Sequence, residues 1–333
     1  MSRITFRFSD GEQTTIDSAD DATVLESAYA ADLPLSKDCE IGDCQTCRAT
    51  LTAGEVEFDE FAYITLADEE VEAGEILMCV SRPCNDIAVQ LPYERVALVR
   101  PRRLKAEIHA LSRLCETTIG LTLRLLAETG FGFQPGQYVT IGVPGAKETR
   151  AFSMANAPGA GLLDFQIRLL DDGLMSNYLR DRARPGDILT IEGPKGIFYL
   201  RDRPGPVLMV AGGTGLSPMV AMLKHLIAIG DSGRAVKLCF GVTGQRDLYF
   251  LDELQKLGEQ LPNLVTEVAI ANPDPFWSGH TGFVTDLVRP DDITAGTNAY
   301  LCGPPPMINA ARRRLSELGL SMEVIFAEEF NPS

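Results

Sequence analysis

The chain has 333 residues, 45% hydrophobic and 23% charged, with eight cysteines and a formal net charge of −16. That composition describes a globular protein of two or three domains, and the charge speaks against nucleic acid, which needs a basic face. No run of 18 apolar residues occurs, and the opening MSRITFRFSDGEQ lacks the basic head and apolar stretch of a secretory leader, so the expectation is a cytoplasmic protein with no membrane association.

In chain order, ITFRFS alternates as a strand, and GEQTTIDSA supplies a glycine-led turn and a second strand. ATVLESAYAADL reads as a helix with Val24, Leu25, Ala28 and Leu33 on one side. After a cysteine-rich loop, RATLTAGEVEF places a glycine turn between two short strands, and EILMCVSRPCNDIAVQL ends in a closing strand at 87–91. This small α+β unit is expected to end near Glu94, with RVALVRPRR as a linker into a new strand. Residues 1–95 hold 21 acidic and 6 basic side chains, a net −15, whereas the remaining 238 hold 25 and 24. Such a step in charge marks a domain boundary, although solubility alone would also account for an acidic domain.

From about 104 to 200 the runs LTLRLLAE, GQYVTIGVP, DFQIRLL, DILTIEGP and IFYL alternate between Gly/Pro turns and predict an antiparallel barrel or sandwich. After RDRPGP the rhythm changes. VLMVA, a glycine turn and the helix MVAMLKHLIAIG open a strand–helix alternation that predicts α/β structure with a parallel sheet. The expected boundaries are 1–95, a linker at 96–103, 104–203 and 204–333.

Three of the eight cysteines fall in nine residues, CEIGDCQTC. Cys39, Cys44 and Cys47 have the spacing C-x4-C-x2-C, and Cys79 follows after 31 residues, as in [2Fe–2S] centres. Each iron takes tetrahedral sulfur, so four thiolates have to meet from one tight loop and one distant segment. Gly42 lets the backbone turn close to the sulfides. Zinc is the alternative, but its loops favour paired C-x2-C units and only one occurs. Cys84 competes with Cys79 for the fourth place. Cys79 is preferred because it ends the apolar run ILMC, whereas Cys84 follows a proline in SRPCND. Cys84, Cys115 and Cys239 are otherwise expected as small buried hydrophobes. Asp38, Glu40 and Asp43 crowd thiolates that are already negative, a cost that attraction to a basic partner would offset.

RAFSMAN (150–156) ends a barrel-like strand, and alone it is compatible with a buried strand carrying one arginine. GLMSNYL (173–179) places a glycine and a serine at a helix start, where free amides favour a phosphate. In VLMVAGGTGLSPMVAML, Gly212, Gly213 and Gly215 allow close approach of a pyrophosphate. Ser217 reads as the N-cap of the following helix and Pro218 as its first residue. The turn departs from G-x-G-x-x-G, with Pro218 in place of the third glycine.

The cysteine loop and its context resemble the plant-type ferredoxin domain, which implies a β-grasp fold. RAFS, GLMS, GGTGLSP, CGPPPM (302–307) and FAEEF (326–330), in that order, resemble the ferredoxin–NADP reductase superfamily, which implies an antiparallel β-barrel for FAD and an α/β parallel-sheet domain for nicotinamide. The resemblance implies Arg150 and Ser176 on the flavin phosphates, in a loop with Gly173 and Met175, and Phe152 and Ser153 against the isoalloxazine. It places NADH among Gly212, Gly213, Thr214, Gly215, Gly303 and Pro304, with Cys302 beside the nicotinamide C4 and Glu328 as a polar partner. Phe330 would cover the flavin until nicotinamide stacks there. Three residues depart from the usual pattern: Glu40 stands for arginine, Gln45 for glycine and Phe152 for tyrosine. NADH is favoured over NADPH because Asp247, Asp252 and Glu253 crowd Arg246, the cation that a 2′-phosphate would want.

The domain order is similar to that of the reductase components of benzoate-type ring-hydroxylating dioxygenases and of soluble methane-type monooxygenases. It implies a monomeric enzyme passing electrons from NADH through FAD and a [2Fe–2S] cluster to a terminal oxygenase, directly or through a separate ferredoxin. The ring-hydroxylating partner is preferred. A diiron monooxygenase, or a sensor or carrier that turns over no nicotinamide, stays open.

Overall fold

The computed structural model describes residues 2–43, 45–59, 65–127 and 130–330. It divides into two compact units, Met1–Pro101 with Pro194–Ile197, and Arg102–Gly193 with Phe198–Ser333.

The first unit runs β1 (Arg3–Arg7), β2 (Gln13–Asp17), α1 (Val24–Ala30), β3 (Arg48–Ala53), β4 (Val56–Phe58), α2 (Asp68–Glu72), β5 (Glu75–Leu77), β6 (Ser81–Pro83) and β7 (Ile87–Gln90). Its main sheet has the order β2-β1-β7-β3-β5, with β1 and β7 parallel at the centre and the other described pairings antiparallel. This is the β-grasp arrangement, and β4 and β6 form a small separate ribbon. Alternation sets the faces: Ile4 and Phe6 of β1 are buried, and the flanking residues are not. Thr23 caps α1 by accepting from the Glu26 amide at 3.2 Å, and Glu26 accepts in return from the Thr23 amide at 2.8 Å. A seven-residue helix is too short to stand alone. Burial of Val24 and Leu25, worth roughly 1.5–3 kcal/mol each, holds it to the sheet.

In the second unit β8 (Arg102–Cys115), β9 (Thr118–Leu125), β10 (Tyr138–Gly142), β11 (Thr149–Ser153), β12 (Leu162–Arg168), α3 (Leu174–Asp181) and β13 (Ile188–Lys195) form an antiparallel barrel with strand order β11-β10-β13-β8-β9-β12. A bridge between Met154 and Phe165 joins the two end strands and decides for a barrel over a sandwich. The first strand begins at Arg102, inside the stretch expected as linker. IFYL is not a strand: Phe198, Tyr199 and Leu200 are buried outside the sheet, and Phe198 and Leu200 belong to the core that also holds Met209 and Met219.

The chain then forms β14 (Val207–Gly212), α4 (Leu216–Ala228), β15 (Val236–Gly244), α5 (Leu251–Gln260), β16 (Leu264–Asn272), β17 (His280–Thr281), β18 (Asn298–Gly303), α6 (Pro305–Glu317) and β19 (Ile325–Glu329). The sheet is parallel, in the order β17-β16-β15-β14-β18-β19. Every residue of β14 and β18 is buried, as expected for strands covered on both faces. Among the described residues no helix is long and apolar enough to cross a membrane.

Candidate functional site

The cysteine loop is assembled by backbone bonds from three segments. The Leu25 amide at the start of α1 donates to the Met78 carbonyl at 3.0 Å, and the Met78 amide donates to the Cys47 carbonyl at 3.2 Å. Cys47 and Cys79 are both buried as a result. A hydrogen bond with the Cys47 thiol and another from the Gly42 amide hold the Cys79 thiol below its ordinary pKa, which favours the thiolate a metal needs. Cys39 is half-buried, Cys84 is exposed, and Cys44 lies outside the described residues. A binuclear cluster spreads four thiolates over two irons, and a close Cys47–Cys79 pair with amide donors beside it fits that demand.

Two non-glycine residues of this loop are left-handed, Glu40 at φ 59° and Gln45 at φ 55°. Both have tethered side chains. Glu40 pairs with Lys37 at 3.0 Å, and the Lys37 ammonium sits 4.0 Å from the centre of the Tyr29 ring. Gln45 donates to the Thr65 carbonyl at 3.1 Å and accepts from Arg48 at 3.3 Å. Asp38, Glu40 and Asp43 are exposed, and so is Ile41 between them.

In the barrel, β11 carries Arg150, Phe152 and Ser153. Arg150 folds back to donate to the Thr149 carbonyl at 2.9 Å, and half-buried Phe152 packs against the barrel core. Gly173 is the N-cap of α3, where a Cβ would lie 2.9 Å from Ser176 Oγ. Buried Ser176 accepts from the Leu170 amide at 2.9 Å, so it braces this cradle, and the Met175 side chain belongs to the core. The first amides of α3 are thus presented by a loop without bulk, which fits a phosphate.

The glycine turn packs against the end of β18. A Cβ on Gly215 would lie 2.1 Å from the Cys302 carbonyl oxygen, and one on Gly212 would lie 2.5 Å from Met307 Sδ. Gly303 also abuts Gly212 and Met307. These glycines serve close packing of the two loops. Gly213, at φ 55°, is different: its Cβ would meet nothing nearer than Arg168 Nη1 at 3.8 Å, so this is the open point of the turn, beside half-buried Thr214 and exposed Pro304. Ser217 is not the N-cap. The helix begins at Leu216 after a 3-10 turn, and the Ser217 hydroxyl in its first turn instead meets the Gln166 side-chain amide, with Oγ 3.1 Å from Oε1.

Ser153, Cys302 and Glu328 are brought together. Cys302 and Glu328 are register partners on β18 and β19, and Ser153 donates across from the barrel to Glu328 Oε2 at 3.2 Å. Burial raises the Glu328 carboxyl to about 8, opposed in part by the Ser153 hydrogen bond. Burial, and the Glu328 charge after it, push the Cys302 thiol well up, so both groups are neutral near pH 7. Phe330 packs against the same core, its amide donating to the Gly303 carbonyl at 2.9 Å. Asp247 does not crowd Arg246 as expected: its carboxylate is buried, accepting from Thr117 at 2.8 Å and the Gly244 amide at 3.0 Å. Glu253 is paired with Lys256 at 2.6 Å. Gln166, Arg168 and Tyr249 were missed, since nothing in DFQIRLL or DLYFLDEL signals that their side chains meet the glycine turn.

A ferredoxin-type cluster loop, a flavin-type barrel and a nicotinamide-type sheet define an iron–sulfur flavoprotein reductase. Comparison with known proteins gives the same division. The chain matches the 2Fe-2S iron-sulfur cluster binding domain over residues 7–84, the oxidoreductase FAD-binding domain over 105–199 and the oxidoreductase NAD-binding domain over 209–313. It is 34% identical over 329 residues to the toluate 1,2-dioxygenase electron transfer component of Pseudomonas putida, covering 98% of this chain and 97% of the relative. It is 33% identical over 324 residues to the reductase component of phenol 2-monooxygenase of Pseudomonas sp. (strain CF600), covering 95% and 91%. Among solved structures, an Amycolatopsis cytochrome P450 reductase superposes with a TM-score of 0.76 at 29% identity, covering 100% of this chain and 99% of that one. The chain belongs to the family of NADH-dependent electron-transfer components of multicomponent oxygenases.

Proposed function

We propose that the chain reduces the terminal component of an aromatic-ring-hydroxylating dioxygenase, directly or through a separate ferredoxin, as a cytoplasmic monomer. The observation that carries the redox half is the meeting of Ser153, Cys302 and Glu328 where barrel and nicotinamide domain join. Bound FAD would convert the hydride of NADH into single electrons for a [2Fe–2S] centre on Cys39, Cys44, Cys47 and Cys79. The protein's part is orientation. Cys302 sets the nicotinamide face, Ser153 and a protonated Glu328 hold a neutral hydrogen-bonded surface that does not oppose a departing hydride, and Phe330 excludes water until nicotinamide enters. The glycine turn with Thr214, Gly303 and Pro304 would hold the rest of NADH. The Gly173–Ser176 cradle and Arg150 would take the flavin phosphates, with Phe152 packed on the ring.

The aromatic partner is supported by end-to-end similarity to the toluate dioxygenase component. The phenol monooxygenase relative supports a diiron partner as the second reading. NADH under argon should bleach the flavin and then raise the EPR signal of a reduced cluster. An unbleached flavin would leave a sensor or carrier. Mixing the reduced protein with purified dioxygenase and monooxygenase terminal components decides the partner. Reduction should fall as NaCl rises, because exposed Asp38 and Asp43 attract through a screened field with a Debye length of about 8 Å at physiological strength.

A further inference from the structure

We propose that Gln166 is a positioning residue for hydride transfer, its amide turned to donate to Ser217 and Tyr249 so that Tyr249 fixes the Gly213 carbonyl and thereby the open point of the nicotinamide turn. Gln166, Ser217 and Tyr249 are 6%, 2% and 4% exposed, so bulk water scarcely reaches them. Gln166 comes from β12 of the barrel, Ser217 from the first turn of α4, and Tyr249 from the segment entering α5. The Tyr249 hydroxyl lies 2.9 Å from Gln166 Oε1 and 3.3 Å from the Gly213 carbonyl, and Ser217 Oγ lies 3.1 Å from Gln166 Oε1.

Counting protons settles the amide's orientation. With the oxygen facing both hydroxyls, Ser217 and Tyr249 spend their protons on Gln166. The Gly213 carbonyl then receives none from Tyr249, and both protons of the buried Nε2 have no acceptor. The two ends of an amide occupy nearly the same space and differ only in what they donate. Turned over, the nitrogen donates one proton to each hydroxyl, and Tyr249 is free to donate its own to Gly213. The count rises from two bonds to three. Left over are a carbonyl oxygen, which tolerates burial better than an orphaned donor, and the Ser217 proton, so one orphaned donor proton replaces two. Gly213 is the left-handed residue and the open face of the turn, so the carbonyl held by Tyr249 sets where the cofactor meets backbone.

This rests on the reading that the turn holds NADH, and wild-type flavin reduction by NADH tests that reading first. The test is stopped-flow flavin reduction in the full-length holoprotein against NADH concentration, with dithionite reduction and FAD content as controls. Tyr249→Phe keeps the ring on Phe240 and Phe250 and removes the hydroxyl that accepts from Gln166 and donates to Gly213. It should cut the NADH second-order rate about tenfold, the value of one buried hydrogen bond, with dithionite reduction and FAD content unchanged. Gln166→Glu, as carboxylate, accepts from Tyr249 and should cost as much. The double variant should lose no more than either single one, because both act through one bond. Wild-type rates in Tyr249→Phe, or losses that multiply in the double variant, would overturn the proposal. Should Gln166→Glu fail to fold, Tyr249→Phe decides alone.

Discussion

The two loops proposed to meet NADH and the iron–sulfur cluster are shaped by opposite means. In the nicotinamide turn, Gly212, Gly215 and Gly303 are glycine because neighbouring backbone and the Met307 side chain already fill the space of a side chain. In the cluster loop, two left-handed positions carry Glu40 and Gln45, and side chains do the holding, through Lys37 in one case and through Thr65 and Arg48 in the other. The first loop is rigid by exclusion and intolerant of an added atom at those three positions. The second is rigid by tethering, so it can be retuned one substitution at a time.

Gly215→Ala should break the first loop. Its φ of −60° suits alanine, so the harm comes only from a methyl group 2.1 Å from the Cys302 oxygen, which no rotamer relieves. Destabilisation of about 3 kcal/mol and loss of NADH-driven flavin reduction are expected, read by thermal melting and stopped flow. Gly213→Ala meets open space and pays only the left-handed conformation, about 1 kcal/mol. Equal damage at the two sites would erase the distinction between a packed and an open glycine.

In the cluster loop, Cys79→Ser should abolish the visible absorption and EPR signal of the cluster, whereas exposed Cys84→Ser should leave both intact. The reverse pattern would move the fourth ligand to Cys84. Near Cys302, Glu328 gives a pH effect with a definite sign. Its folded pKa, about 8, lies above the ordinary 4.5, so the native state binds more protons and stability falls as pH rises between those values. Glu328→Gln should flatten melting temperature across pH 5–8, and an unchanged slope would mean that another group titrates. The smallest effect is expected at Gln45. Gln45→Gly relieves strain but loses the tether, and Gln45→Ala keeps the strain and loses the tether. Cluster half-life against a chelator should therefore fall in the order wild type, glycine, alanine, and a glycine variant outlasting wild type would show that the tether contributes nothing.

The sheets were legible from strand alternation, and the Ser153–Cys302–Glu328 meeting was implied by the family resemblance of RAFS, CGPPPM and FAEEF. The role of Ser217 was not. A serine followed by proline is a sound N-terminal signal, but a preceding 3-10 turn moved the helix start upstream, and a buried glutamine 51 residues away took the hydroxyl. Asp247 misled for a related reason: charge reads as solvent-facing until a partner as distant as Thr117 is known. Cys79 was preferred over Cys84 from the apolarity of ILMC, and it is buried; Cys84 and Cys115, expected as small buried hydrophobes, are instead exposed and half-buried, and only Cys239 is buried as expected. What the sequence withheld was pairing between distant segments.

The central parallel pairing of β1 with β7 also sets a timetable for synthesis. The loop with Cys39–Cys47 leaves the ribosome before the strand that completes its sheet, which ends at Gln90. At 5–20 residues per second that interval lasts roughly 2–9 s. During it the loop thiols ride on an unfinished sheet with no Cys79 beside them. A cluster held by the loop thiols and Cys79 together would therefore be delivered only after Cys79 has emerged and the closing strand can seat it.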